Sequence, residues 1–131
     1  MAETEMIKTV MGERPALQND AIEVNNLRVA FGAKEILKDV SFTVRRGEIL
    51  VLMGLSGTGK STTLRSIAGL LKPSGGEVKV NGRSIPDLSQ KELEVLRRRI
   101  GFCFQHGALF DSMTIGDNVA FGLREHTDLP E

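Results

Sequence analysis

Apolar and polar positions change rhythm several times along this chain, and each change marks an element. Ile22, Val24, Leu27, Val29 and Phe31 recur at strand spacing, with an irregularity at Asn25-Asn26. Phe31-Gly32-Ala33-Lys34 reads as a turn. Val40, Phe42 and Val44 then alternate with polar neighbours, as on a half-buried strand, and Arg45-Arg46-Gly47-Glu48 is a second turn. Ile49-Leu50-Val51-Leu52-Met53 is apolar at every position, which predicts a central strand covered on both faces. Glycines run from Gly54 to Gly59. Beyond them Leu64, Ile67, Ala68 and Leu71 fall at i, i+3, i+4 and i+7, a helix that Pro73 prevents from continuing.

Gly75-Gly76 and Asn81-Gly82 bracket a short strand, Glu77–Val80. Ser89-Gln90-Lys91-Glu92 has the form of a capping box and opens a helix carrying Leu93 and Leu96. Ile100–Phe104 is a further strand candidate. Thr114 with Asp117 is placed to cap a last helix through Val119 and Phe121. Residues 1–20 lack periodicity and contain the breakers Gly12 and Pro15, so they read as a flexible leader with order beginning near Ala21. An antiparallel opening followed by strand, loop and helix is an α/β layout.

At 131 residues and 40% hydrophobic, the chain is long enough for one modest domain with a buried core. Lysine plus arginine and aspartate plus glutamate are balanced at 17 each, so no net field draws it to nucleic acid or acidic lipid. The single cysteine, Cys103, cannot form an internal disulfide. Flanked by Phe102 and Phe104, it is expected as a buried, inert thiol of a reducing compartment. No secretory signal is visible, and the strongest apolar run, Ile49–Leu55, is far shorter than the roughly 20 residues a membrane helix needs. A membrane would be reached only through a partner.

Gly54-Leu55-Ser56-Gly57-Thr58-Gly59-Lys60-Ser61 matches G-x-x-x-x-G-K-[ST] in full, between an apolar run and an amphipathic helix. The chemistry of a triphosphate explains the residue types. Glycines let backbone N–H groups wrap closely around the phosphates, and the helix adds its open amides and positive dipole end. Lys60 supplies a full charge to the β- and γ-phosphates, and the Ser61 hydroxyl is placed to ligate Mg²⁺.

The loop alone does not separate phosphate-loop families; its surroundings do. The loop continues G-L-S-G-T-G-K-S-T, and Ile100-Gly101-Phe102-Cys103-Phe104-Gln105 ends forty-five positions after Lys60. Ala108-Leu109-Phe110, Met113-Thr114-Ile115 and Asn118-Val119-Ala120-Phe121-Gly122-Leu123 follow, and Phe31 stands ahead of Leu37-Lys38-Asp39-Val40-Ser41-Phe42. In these segments the chain resembles an ABC transporter nucleotide-binding domain over about residues 22–131. The resemblance implies a phosphate-loop fold of ABC type, with an antiparallel β subdomain and the start of a parallel core sheet. It implies ATP and Mg²⁺ as cofactors. Phe31 would stack on adenine; the plain alternative is a core residue of its strand. Gly54, Ser56, Gly57, Thr58, Gly59, Lys60, Ser61 and Thr62 would hold the phosphates. Gln105 would offer its side-chain carbonyl to Mg²⁺ and the attacking water; the plain alternative is a polar residue closing a strand. Lys60 and Gln105 are thus the catalytic candidates, Ser61 and Gln105 the metal ligands.

A narrower resemblance rests on Gln105-His106-Gly107-Ala108-Leu109-Phe110-Asp111-Ser112-Met113-Thr114 and Arg124-Glu125-His126-Thr127. They are similar to the ATPases of phospholipid transporters, the maintenance-of-lipid-asymmetry and toluene-tolerance systems associated with MCE-type lipid-binding proteins. Implied partners are a membrane permease met through the Gln105 region, a second ATP-binding subunit and, through the complex, an MCE-type protein, with no nucleic acid. The implied location is the cytoplasmic face of the cell membrane. His106 and His126 read as exposed residues, and Arg97-Arg98-Arg99 as a solvated helix end.

The chain also departs from the family. It contains no Asp-Glu pair for Walker B and no L-S-G-G-Q signature, and the switch histidine and D-loop have no candidate. Residues 21–131 are therefore expected to be a truncated, partial ATP-binding domain that does not turn ATP over alone. Alternatives are a piece of another importer or of a soluble ABC protein, and a small-molecule kinase. A GTPase is disfavoured by the lack of an N-K-x-D motif.

Overall fold

The alternation between Ile22 and Val44 becomes a long antiparallel hairpin. In the computed structural model, which describes residues 20–128, strand β1 is Asp20–Phe31 and strand β2 is Lys34–Arg45. The predicted leader lies outside the described residues except for Asp20, the first residue of β1. Strand β3 (Gly75–Val80) pairs with the other edge of β1, and β4 (Arg83–Ser84) follows through an Asn81-Gly82 turn with positive φ at both residues. The sheet order is β2-β1-β3-β4.

The irregularity at Asn25-Asn26 is a bulge that keeps the core in register. Val24 and Leu27 are both buried although three residues apart, opposite Phe42 and Val40 of β2, which are buried too. Each strand absorbs its extra residue at a left-handed position, Asn26 (φ 47°) and Asp39 (φ 51°). The Asn26 N–H donates to Ser41 Oγ at 2.8 Å, and Arg28 closes on Asp39 at 2.6 Å. β3 approaches this bulge so closely that a Cβ at Gly76 (φ +80°) would lie 2.2 Å from the Asn26 carbonyl oxygen.

Helix α1 (Lys60–Ile67) lies against the sheet through Thr63, Ser66 and Ile67; of the predicted stripe Ile67, Ala68 and Leu71 do reach the core, and only Leu64 turns outward. Leu64 is about half exposed. Thr63 and Ser66 are fully buried because their hydroxyls donate to the carbonyls of Gly59 and Thr62, four residues back, at 3.0 Å. The helix also stops earlier than Pro73 requires. Gly69 takes φ 67°, its N–H donates to Ser66 O, and the Leu70 N–H donates to Arg65 O, the two bonds of a Schellman ending.

A 3₁₀ turn (Ile85–Asp87) leads to helix α2 (Gln90–Arg97), whose Ser89–Glu92 capping box forms as predicted. Helix α3 (Ile115–His126) is capped by Thr114 and runs beyond Phe121 to His126. The core joins Val24, Leu27, Val29, Leu37, Val40, Phe42, Val78 and Val80 of the sheet to Ile67, Ile85 and Leu96.

Two predicted strands are corrected. Neither Ile49–Met53 nor Ile100–Phe104 enters a ladder among the described residues. Leu50 and Leu52 pack on the core, whereas Ile49, Val51 and Met53 face outward and are 90%, 69% and 77% exposed. The run is covered on one face, not two. A strand is defined by its hydrogen-bonded neighbour, and the described sheet has β2 and β4 at its edges, with neither segment beside them.

Backbone collision and backbone strain can be separated in two variants. Gly82 (φ +75°) has open space where a Cβ would go, so Gly82→Ala costs only the left-handed penalty, about 1–2 kcal/mol. Gly76→Ala adds a clash with backbone that cannot swing aside and costs about 3 kcal/mol or more. Denaturant unfolding of both variants checks the order.

Candidate functional site

The glycine-rich segment 54–59 delivers the chain to the start of α1. Gly57 (φ 82°) and Gly59 (φ 95°) take left-handed turns there, and Gly59 is itself the N-cap residue. A glycine cap has no side chain to offer, and the first turn of α1 holds no acidic residue. The leading N–H groups of Lys60, Ser61 and Thr62 therefore receive neither a capping hydrogen bond nor a carboxylate. Gly59 is needed for a second reason: a Cβ there would meet Leu37 Cδ2 at 2.4 Å and Ile36 Cγ2 at 3.3 Å. This contact presses the end of the loop onto β2.

Lys60 turns back across the loop. Its Nζ donates to Gly54 O at 2.8 Å and Leu55 O at 2.6 Å, with Thr58 Oγ1 at 3.5 Å. Thr58 in turn donates from its hydroxyl to Leu55 O at 2.9 Å. The result is a small ring of backbone around one ammonium, beside the open end of a helix dipole. The ammonium and the open amides of α1, not the carbonyls, attract an anion with several oxygens. Ser56, Gly57 and Ser61 are exposed at its rim, and Thr62 is half-buried.

Phe31 is the last residue of β1, paired with Lys34 across the hairpin turn, and is 54% exposed. It is not a core residue. Its hairpin carries Ile36 and Leu37, the residues against Gly59, so an open aromatic face and the loop share one end of the sheet. Gln105 is exposed in the turn 105–108, where Gly107 (φ 77°) and Ala108 (φ 53°) reverse the chain. It makes no hydrogen bond to the loop among the described residues. The structure thus gathers residues 54–62 against the hairpin whose turn carries Phe31, while Gln105 stands on a separate turn.

Cys103 is corrected from buried to exposed. Among the described residues its segment joins no strand, and Phe102 and Phe104 pack on each other, ring centroids 4.7 Å apart, with the thiol outside. His106 and His126 are exposed as expected.

Two organising residues escaped the sequence reading. Asn118 Oδ1 accepts from the Phe110 N–H at 2.8 Å, and its amide donates to Phe110 O at 3.1 Å and Thr114 O at 3.0 Å, pinning the loop after Gln105 to α3. Beside it, the Thr114 hydroxyl and then Arg124 hold the Asp117 carboxyl below its usual range. Arg97 is the second. The arginine run is a solvated end only at Arg98 and Arg99; Arg97 is half-buried against α1. Asn118's signal was its place four residues after a capping threonine; Arg97 had none to set it apart from its neighbours.

The ABC transporter family model matches residues 37–129, more than half of the chain. This chain belongs to the ABC transporter family. Among its relatives is the probable ribonucleotide transport ATP-binding protein mkl of Mycobacterium tuberculosis, 50% identical over 111 residues, covering 85% of this chain and 31% of that protein. The intermembrane phospholipid transport system ATP-binding protein MlaF of Escherichia coli is 43% identical over 109 residues, covering 83% of this chain and 40% of that protein. The methionine import ATP-binding protein MetN of Mesorhizobium japonicum is 44% identical over 111 residues, covering 85% and 30%. The ABC chain therefore spans between about a third and two fifths of these relatives. A solved ATP-binding cassette, a dimer in a post-hydrolysis state bound to ADP and Pi, superposes with a TM-score of 0.75 at 34% identity, covering 84% of this chain and 50% of that one. The fold is that of an ABC ATPase cassette, and no helix among the described residues is long and apolar enough to cross a membrane.

The exposure of Cys103 has a direct readout. In the folded chain a maleimide labels it to one equivalent, at a rate within about tenfold of the urea-unfolded chain, as an unburied thiol does. Labelling only on unfolding would restore the buried assignment.

Proposed function

We propose that this chain is the nucleotide-holding portion of an ABC ATP-binding subunit that couples ATP binding and hydrolysis to membrane transport, with phospholipid as the transported class. The observation that carries the reading is the uncapped amide end of α1 with the Lys60 ammonium set beside it across the loop. Backbone amides of 57–62 and Lys60 bind the phosphates, and Phe31 lays its open face on adenine. Ser61 and Gln105 both offer hard oxygen donors on exposed side chains, which fit Mg²⁺. Ser61 and Gln105 would hold that ion, which would supply positive charge against the charge developing on the phosphates. Gln105 also orients the attacking water.

Residues 21–131 supply one part of such a site. They hold neither an Asp-Glu pair nor an L-S-G-G-Q signature, so hydrolysis needs groups beyond these. The proposed partners are a second ATP-binding subunit and a membrane permease that meets the Gln105 turn, on the cytoplasmic face of the membrane, with an MCE-type lipid-binding protein further along the complex. Phospholipid is favoured by residues 105–114 and 124–127 and supported by MlaF among the relatives. The alternatives are ribonucleotide and methionine, which mkl and MetN are named for. Reconstituted with its permease, the full subunit distinguishes them by which solute stimulates ATP hydrolysis.

Titration of the chain with a fluorescent ATP analogue and Mg²⁺ tests the site. Lys60→Ala removes charge-assisted bonds worth about 1.5–3 kcal/mol and weakens binding about 10- to 100-fold. Phe31→Ala loses a stacking contribution of about 1 kcal/mol, roughly fivefold, whereas Phe31→Tyr is tolerated. Unchanged affinity in Lys60→Ala would sink the phosphate assignment.

A second measurement addresses turnover. The 131 residues alone release no phosphate above the level of the Lys60→Ala control, because no carboxylate pair is present to hold the metal and polarise water. Lys60-dependent release from the isolated chain would refute this.

A further inference from the structure

Arg97 holds two elements at once. Its guanidinium donates from Nε to Ala68 O at 3.1 Å and from Nη2 to Gly69 O at 2.5 Å, across the C-terminal end of α1. Its own backbone carbonyl accepts the Ile100 N–H at 3.0 Å, the first step of the segment that leads to Gln105. The Schellman bonds already satisfy Arg65 O and Ser66 O, and Arg97 takes the carbonyls beyond them. These carbonyls are the negative end of the helix whose positive end is the phosphate site. Among the described residues, no other hydrogen bond joins α2 to α1. The packing there, with Leu93 over Gly69 and Leu96 in the core that Ile67 also joins, is apolar and non-directional.

We infer that Arg97 is a positioning residue that makes the phosphate-loop helix and the Gln105 segment move as one body when phosphate is bound. The inference rests on the proposed nucleotide site. α1 is a rigid rod of two turns, so a shift at Gly59 reaches Ala68 undiminished. From Ala68 and Gly69 the two guanidinium bonds carry it to Arg97, and the Arg97–Ile100 bond passes it to the chain entering Gln105. A planar fork spanning two carbonyls resists both sliding and rotation, which a single ammonium does not. α2 keeps its own supports without this fork: the Ser89–Glu92 box, the Arg83–Glu92 pair and buried Leu96.

Hydrogen exchange of the full chain, with and without Mg²⁺ and ATP, tests the coupling. In the unsubstituted chain nucleotide slows exchange at 54–62 and also at 101–106. In Arg97→Ala the slowing at 54–62 persists, with affinity within about threefold, while the slowing at 101–106 falls about tenfold. Arg97→Lys, with charge but no fork, is intermediate. Undiminished slowing at 101–106 in Arg97→Ala overturns the inference. So does an equal loss at both segments, which marks a folding role, or no slowing at 101–106 in the unsubstituted chain. Absence of slowing at 54–62 in that chain instead refutes the nucleotide site, and the inference falls with it.

Discussion

The seating of α1 on the sheet is the constraint on which the rest depends. Thr63 and Ser66 are fully buried, and only their hydroxyl bonds to carbonyls one turn back make that burial tolerable. Small side chains bring the helix axis close to β1 and β2, so Gly59 lands against Ile36 and Leu37 with no room for a Cβ. One end of the helix is thereby fixed at the proposed phosphate site and the other at Arg97. A bulkier apolar face would bury more area but would lift both ends from their partners.

Much of this was legible from residues. The hairpin, its bulge at Asn25-Asn26, the Asn81-Gly82 turn and both side-chain caps follow from local chemistry, in which a few neighbouring residues decide the outcome. So does the glycine-rich turn at 54–59 that leads into α1. The inner face of α1 was legible only at Ile67, Ala68 and Leu71; Thr63 and Ser66 were missed, because hydrophobic spacing counts threonine and serine as outward. The Schellman stop was missed too, since Gly69 and Pro73 both end helices and the nearer one acted.

The two apolar runs mark a different limit. Ile49–Met53 and Ile100–Phe104 have strand composition, but composition does not supply a neighbour to pair with. Among the described residues each is covered on one side at most, and Cys103 is exposed as a result. The exposure of Phe31 could not be read either: its alternation with Val29 suits a core position and a strand end equally, and only the hairpin's length puts it past the core. Gln105 remains apart from the loop for a related reason, because its distance from Lys60 depends on how the segment before it is paired.

The bulged hairpin also bears on the order of events during synthesis. β1 and β2 meet across a two-residue turn, and β3 pairs with β1 residues 47 to 58 positions upstream, so the whole sheet is available once Ser84 has been made. A ribosome adding about 5–20 residues per second releases that sheet seconds before Asn118 emerges. The surface that receives α1 is then in place ahead of the segment carrying Gln105. The nascent chain can set its phosphate loop on a finished foundation while the remainder is still being translated.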